Sequence, residues 1–137
     1  MHVAVLSSEL CCRTSSGASQ SLRAASKITF PTVWTNTCCS HPIAGQPASE
    51  VDDPASLTAA AGPLGVKRAA VRKLQHELGV RPGALAPEQF KYMGRVHYWA
   101  ADTVTHGERA PWGEHEIDYL LLCQLPKGTR LALSPNP

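Results

Sequence analysis

Between Pro63 and Gly79 the apolar positions Val66, Ala70, Val71, Leu74 and Leu78 recur at three- and four-residue spacings. At about 100° per residue they fall on one arc of a helix. Pro63 suits the start of that helix and Gly79 its C-terminal stop, with no breaker after Gly65. Glu77 projects to within about 20° of Val66 and Ala70, at the border of the arc rather than out in solvent. Elsewhere the pattern is that of strands. Phe90 to Ala100 and Glu114 to Gln124 are two candidates, separated by a loop bearing glycine and proline. I-T-F-P and V-W-T-N-T-C-C, after Lys27, are β-branched and aromatic, bounded by Pro31 and Pro42, and also read as strand material. Ile43 to Gly62, with Gly45, Pro47 and Pro54, predicts a long loop. Met1 to Ser26 is rich in Ser and Ala without sustained periodicity and predicts poor structure. Residues 1–19 read as a disordered lead or a plastid transit peptide. S-P-N-P at the other end supplies no closing helix, so the chain reads as cut short.

With 137 residues the chain supports one domain with a real core. Its net charge of +2 indicates neither a nucleic-acid footprint nor a polybasic membrane arm, and its apolar runs are far short of a bilayer span. A small-molecule partner and a monomer are expected, with no nucleic acid and no membrane. Cysteines 11, 12, 38, 39 and 123 include no C-x-x-C pair and follow no secretory signal. Reduced thiols are expected, and a structural zinc site is not.

Three carboxylates, Glu114, Glu116 and Asp118, alternate along G-E-H-E-I-D-Y-L-L-L. On a strand they share one face at steps of roughly 6.6 Å. Such a row raises a carboxylate pKa or recruits a cation, unless it is the solvated face of an antiparallel strand. His41 taken singly is an ordinary loop histidine, but with Glu114 and Glu116 it makes a set that borderline divalent metals accept. Cys39 is a small buried hydrophobe or, on the metal-bearing face, a tuned thiol; Cys38, facing the other way, keeps the first reading. Glu77 and Lys73 form an ordinary i, i+4 pair, Arg23 and Lys27 solvated charges. Tyr98, Trp34, Trp99 and Trp112 are most economically core or rim aromatics.

Together these residues lie within an ordered set of motifs: K-I-T-F-P-x-x-W-T-N-T-C-C-S-H-P, then L-G-V-K-R-A-A-x-R-K-L-x-x-E-L-G-V, then G-R-V-H-Y, then W-G-E-H-E-I-D-Y-L-L. From about Gln20 to Pro137 the chain resembles type I isopentenyl-diphosphate isomerases, members of the Nudix superfold. The resemblance implies an α+β Nudix fold, a mixed β-sheet sandwiched between helices, here incomplete, over residues 20–137. R-K-L-x-x-E-L-G-V is a degenerate Nudix helix that keeps Arg72, Glu77 and Gly79. Lys73 and His76 stand where a pyrophosphohydrolase usually carries glutamates, which speaks against the alternative of a Nudix-type diphosphate hydrolase. A non-catalytic metal-binding fragment is the other alternative.

By the same resemblance, Cys39 and Glu116 are the catalytic pair, assisted by Tyr98. His41, Glu114 and Glu116 would hold a divalent metal, Mg2+, Mn2+ or Zn2+. Glu77 and the main-chain carbonyl of Cys39 would hold the Mg2+ that carries the substrate diphosphate, gripped also by Arg23, Lys27 and Lys73. The substrate implied is isopentenyl diphosphate. Two further histidines of the family's metal site have no match upstream of Arg23, since His2 sits in another context. The family's C-terminal tryptophan has none either. The expectation is therefore missing strands, an open sheet edge, an impaired metal site and low or absent activity.

Overall fold

A computed structural model describes residues 5–14, 17–19, 21–53 and 62–132. The predicted helix forms as α1 (Leu64–Leu78). Pro63 precedes it in extended conformation, and Gly79 ends it with φ 63°, ψ 21°, the left-handed geometry glycine adopts without a Cβ clash. The N–H groups of Gly79 and Val80 return to the carbonyls of Gln75 and Leu74 and finish the last turn. The arc read from the sequence is the buried one. Val66, Ala70, Leu74 and Leu78 pack with Cys38, Phe90, Tyr119, Leu121 and Cys123, and Val71 lies partly buried beside them.

The strands are β1 (Val5–Thr14), β2 (Gly17–Ser19), β3 (Ser21–Leu22), β4 (Trp34–Thr35), β5 (Cys38–Ser40), β6 (Lys91–Ala101) and β7 (Gly113–Gln124). A 3-10 turn, Pro87–Gln89, precedes β6, and a one-turn helix, α2 (Thr103–His106), separates β6 from β7. The main sheet runs β2-β1-β7-β6, with β5 also paired to β1; β3 and β4 form a separate ribbon. Its β1–β7 pairing is parallel and its other pairings are antiparallel. The described residues form an α+β arrangement of a mixed sheet with one long helix. No described helix is long and apolar enough to cross a membrane.

Two expectations are corrected here. The N-terminal segment read as an unstructured lead carries β1, which pairs along β7 from Val5 opposite Glu116 to Arg13 opposite Gln124. β1 thus pairs along one edge of β7. A partner more than a hundred residues away supplies the hydrogen bonds that the local pattern, weakly strand-like, does not announce. Residues 1–4, including His2, lie outside the described residues.

The stretch from Lys27 to Cys39 is not one strand system. Only Trp34–Thr35 and Cys38–Ser40 are extended pairs, and Phe30 and Thr32 sit at φ 47° and 57°. Pro31 cannot donate to a ladder, and the N–H of Phe30 is taken instead by the buried carboxylate of Asp102 at 2.7 Å. The same carboxylate caps α2 through Thr105 N–H at 3.0 Å. Burial works against its charge, but these N–H donors and nearby His106 hold its pKa below the usual carboxylate range.

The loop after His41 is tied to α1 through Glu50, 4% exposed. Its oxygens accept Arg72 Nε at 2.7 Å, Arg72 Nη2 at 2.9 Å and the N–H of Ile43 at 2.9 Å. Burial alone would raise the Glu50 pKa, but Arg72 and the Ile43 N–H outweigh it and lower the value from 4.5. A group lowered on folding stabilises above its unfolded pKa, and that stabilisation disappears as pH falls through the folded value. The stability gap between the natural chain and Glu50→Gln should therefore be widest near neutrality and shrink below about pH 4.5. Urea unfolding across that range measures it, and a gap independent of pH would refute the linkage.

Candidate active site

Strand registers carry side-chain parity across the sheet. Cys39 pairs with Glu9, which pairs with Leu120, so Cys39 shares the face of the even-numbered residues of β7. That face is the carboxylate row: Glu114, Glu116 and Asp118. Cys38 stands opposite Leu10 and so opposite Leu121, on the core face, and is 3% exposed. Burial first, then the adjoining Glu77 carboxylate, push the Cys38 thiol far up and keep it protonated. Two adjacent cysteines thus have different environments, and the one on the carboxylate face is Cys39.

A cleft of about 410 Å³ lies between β5, α1 and the start of β7. Cys39, His41, Glu114 and Glu116 line it, as do Lys73 and Glu77 from α1 and Arg23 and Lys27 from the segment before β4. A shallower neighbouring cavity shares Cys39 and Glu114 and adds Tyr98, Phe30, Val33, Trp34 and Val96. The chemistry-bearing pocket therefore has a charged end and an apolar end, with Cys39 and Glu114 at the join.

Polar contacts converge on Glu114. Its Oε1 accepts Arg23 Nη2 at 2.9 Å and Thr29 Oγ1 at 2.7 Å, and its Oε2 accepts the Tyr98 hydroxyl at 2.7 Å. Tyr98 also lies 3.4 Å from Glu116 Oε2. Burial, then the bond to Glu114 and the charges of Glu116, Glu114 and Asp118, raise the Tyr98 pKa far above its ordinary value, so the phenol stays a donor. His41 Nε2 lies 3.6 Å from Glu116 Oε1, and the His41 carbonyl accepts Arg72 Nη2 at 2.9 Å. Lys73 pairs with Glu77 at 2.8 Å, the ordinary i, i+4 contact the sequence allowed, but both line the cleft. Arg23 is no solvated charge: it is half-buried, its Nη2 also reaches the Thr29 carbonyl at 3.0 Å, and its buried Nε has no hydrogen-bond partner among the described residues.

Every candidate residue named from the sequence thus reaches this region. Thr29, Asp102 and Glu50 were missed. Asp102 followed three residues later by Thr105 was a legible cap signal; Thr29 and Glu50 left none. The tryptophans are surface residues rather than core: Trp34, Trp99 and Trp112 are 69%, 81% and 54% exposed. Among the described residues Cys38, Cys39 and Cys123 form no disulfide with one another.

The donors His41, Glu114 and Glu116 are chemically suited to a divalent ion and share the cleft. Yet among the described residues no three His, Cys, Asp or Glu side chains gather as a metal site. At Glu114, Arg23 and Thr29 are bonded to Oε1 and Tyr98 to Oε2.

Over 104 residues the chain is 46% identical to the isopentenyl-diphosphate delta-isomerase of Phaffia rhodozyma, a match covering 76% of this chain and 36% of that one. By sequence, the chain is a relative of the isopentenyl-diphosphate delta-isomerases over most of its own length. The Schizosaccharomyces pombe enzyme of the same name is 43% identical over 117 residues, covering 83% of this chain and 44% of that one. Isopentenyl-diphosphate Delta-isomerase 1 of Bos taurus is 40% identical over 116 residues, covering 84% and 42%. The chain thus spans about two fifths of the length of these isomerase relatives. No family model matches. In structure it is similar to DR0079 of Deinococcus radiodurans, with TM-score 0.52 and 15% identity over 96% of this chain and 61% of that one, a likeness of fold alone.

Within this family setting the Tyr98 hydroxyl is the bridge between the two carboxylates on β7. Tyr98→Phe removes one hydrogen bond to a charged group, a loss of about 1.5–3 kcal/mol and so roughly 10- to 150-fold in turnover if the bond matters in the transition state. Should the chain share its relatives' activity, steady-state kinetics would place the loss in kcat; an unchanged kcat would deny Tyr98 a part in it.

Proposed function

We propose that the chain interconverts isopentenyl diphosphate and dimethylallyl diphosphate in isoprenoid biosynthesis by adding one proton and removing another. The observation that carries this reading is the placement of Cys39 and Glu116 around one cleft with a charged and an apolar end. The substrate has no carbonyl to acidify its C–H bonds. A proton must be delivered to the terminal carbon of an unactivated alkene, giving a tertiary carbocation, and another taken from the carbon on its other side. An acid and a base flanking the hydrocarbon perform both steps, and Cys39 and Glu116 are the groups placed to do so. Tyr98 orients the carboxylates, while Phe30, Val33 and Val96 line the apolar end and help keep out water that would capture the cation.

The charged end suits a diphosphate. Arg23, Lys27, Arg72 and Lys73 set four formal positive charges against the carboxylates of Glu77, Glu114 and Glu116. Arg23, with a buried Nε still to satisfy, and the exposed Lys27 would hold the phosphate oxygens, with Lys73 beside them. Magnesium bound to the diphosphate would lie at Glu77 and the Cys39 carbonyl, and a second Mg2+, Mn2+ or Zn2+ at His41, Glu116 and Glu114. Such ions supply charge neutralisation. Arg23 competes with a metal for Glu114 Oε1, and a diphosphate would offer Arg23 an alternative partner. A plastid setting is the finer part of the proposal; one relative, from Cannabis sativa, is named chloroplastic.

The test is the purified chain with isopentenyl diphosphate and Mg2+, followed by dimethylallyl diphosphate appearance and by metal analysis. Failure to form product, even when the chain is extended to its relatives' length, would reject the reading. Release of inorganic phosphate would favour a hydrolase of the same fold.

A further inference from the structure

The ribbon of β6 and β7 has a second face. Tyr98 and the carboxylate row occupy one side; His97 and Trp99 of β6 and His115 of β7 project from the other. Trp99 stands directly opposite His115, and His97 opposite Ile117, so the two histidines are diagonal neighbours across an antiparallel pair. Their Nε2 atoms are 2.8 Å apart and their ring centroids 5.0 Å apart. The Trp99 ring lies 5.8 Å from that of His115 and tilts 35° against it. Both histidines are exposed, where each ring nitrogen could bond to water instead.

We propose that His97 and His115 form a two-point site for a late first-row divalent cation of the Ni2+ or Cu2+ kind, separate from the active cleft. Imidazole nitrogens bind such ions at about 2.0–2.1 Å, so two of them at adjacent corners of a square or octahedron stand roughly 2.9 Å apart. A tetrahedral ion would require about 3.4 Å by the same bond lengths. The observed 2.8 Å matches the adjacent-corner geometry. For one ring to accept the other's N–H, at least one imidazole must be neutral, which is the ligating form. Two strands fix both Cα positions, and the Trp99 ring packs beside His115, so chelation costs little additional ordering. Water completes the shell. Arg95, two residues before His97 on the same face, opposes a cation, but it is exposed and lies about 6.6 Å away along the strand, where solvent screens it.

Calorimetric titration of Ni2+ into the full chain, with and without excess Mg2+, tests this alongside His97→Ala, His115→Ala and His41→Ala. The expected result is one Ni2+ site that excess Mg2+ does not displace, retained in His41→Ala and weakened tenfold or more in either ribbon variant. In the unsubstituted chain, paramagnetic Ni2+ should broaden the ring resonances of His97 and His115 before those of His41, a readout that needs no variant to fold. The proposal is overturned by absence of binding, by ribbon variants that titrate like the natural chain, or by broadening that begins at His41.

Discussion

Cys39→Ala is expected to lower isopentenyl diphosphate turnover by a factor of about 10² to 10⁴, the usual worth of a positioned general acid or base. The unfolding transition should hardly move, because Cys39 lies at the cleft wall, half-buried, and outside the packed core. Glu116→Gln should match it in kcat, since the rearrangement needs a proton delivered on one side of the substrate and one removed on the other. Cys38→Ala is the contrast. That thiol is buried against α1 and held protonated, so its loss should cost stability and leave the chemistry largely intact. Alkylation adds a readout independent of turnover: Cys39 should be modified ahead of Cys38 and Cys123, which are 3% and 2% exposed. Equal turnover in Cys39→Ala and the natural chain would remove the thiol from the mechanism, and equal alkylation of all three would deny the difference in environment.

Arg72→Ala should damage both stability and activity. It strips the counterion from Glu50, which is 4% exposed, and leaves the carboxylate with the Ile43 N–H. Removing one partner of a fully buried pair costs about 3–5 kcal/mol, and because the Arg72 side chain is 29% exposed the expected cost is about 2–3 kcal/mol. Neutralising the stranded charge in the double variant Arg72→Ala/Glu50→Gln should recover part of that loss. The kinetic effect follows from Arg72 Nη2, which holds the His41 carbonyl at 2.9 Å and so fixes the segment that presents His41 to Glu116. Arg72 is thus a positioning residue, and Arg72→Lys, lacking the forked guanidinium, should restore less than its charge suggests. Chemical denaturation measures the first effect and steady-state kinetics the second. A change within about 0.5 kcal/mol, the range of ordinary surface substitutions, would show that the pair does not tie the loop to the helix.

Local signals account for what was legible. The helix α1, its buried arc and its glycine stop were readable because helical period and end chemistry are properties of adjacent residues. The two long strands were readable within a residue or so for the same reason, as was the common face of Glu114, Glu116 and Asp118. The segment from Ile28 to Val33 was misread because composition cannot foresee that Asp102, seventy residues later, takes the N–H of Phe30 and bends the chain away from a strand. Of the two readings open for the tryptophans, core or rim, exposure favours the rim, and Trp34 lines the shallower cavity.

The sequence by itself marked α1, the two long strands β6 and β7 with their apolar faces, and the residue types that could carry proton transfer and anion binding. Only the tertiary structure decided that β1 runs parallel to β7, and hence that β5 brings Cys39 onto the carboxylate face while Cys38 enters the core. Likewise, only folding showed that Arg23 reaches across to Glu114. The reason is physical. Strand register and long-range ion pairs depend on distant partners meeting, and that information lies in no local stretch of the chain.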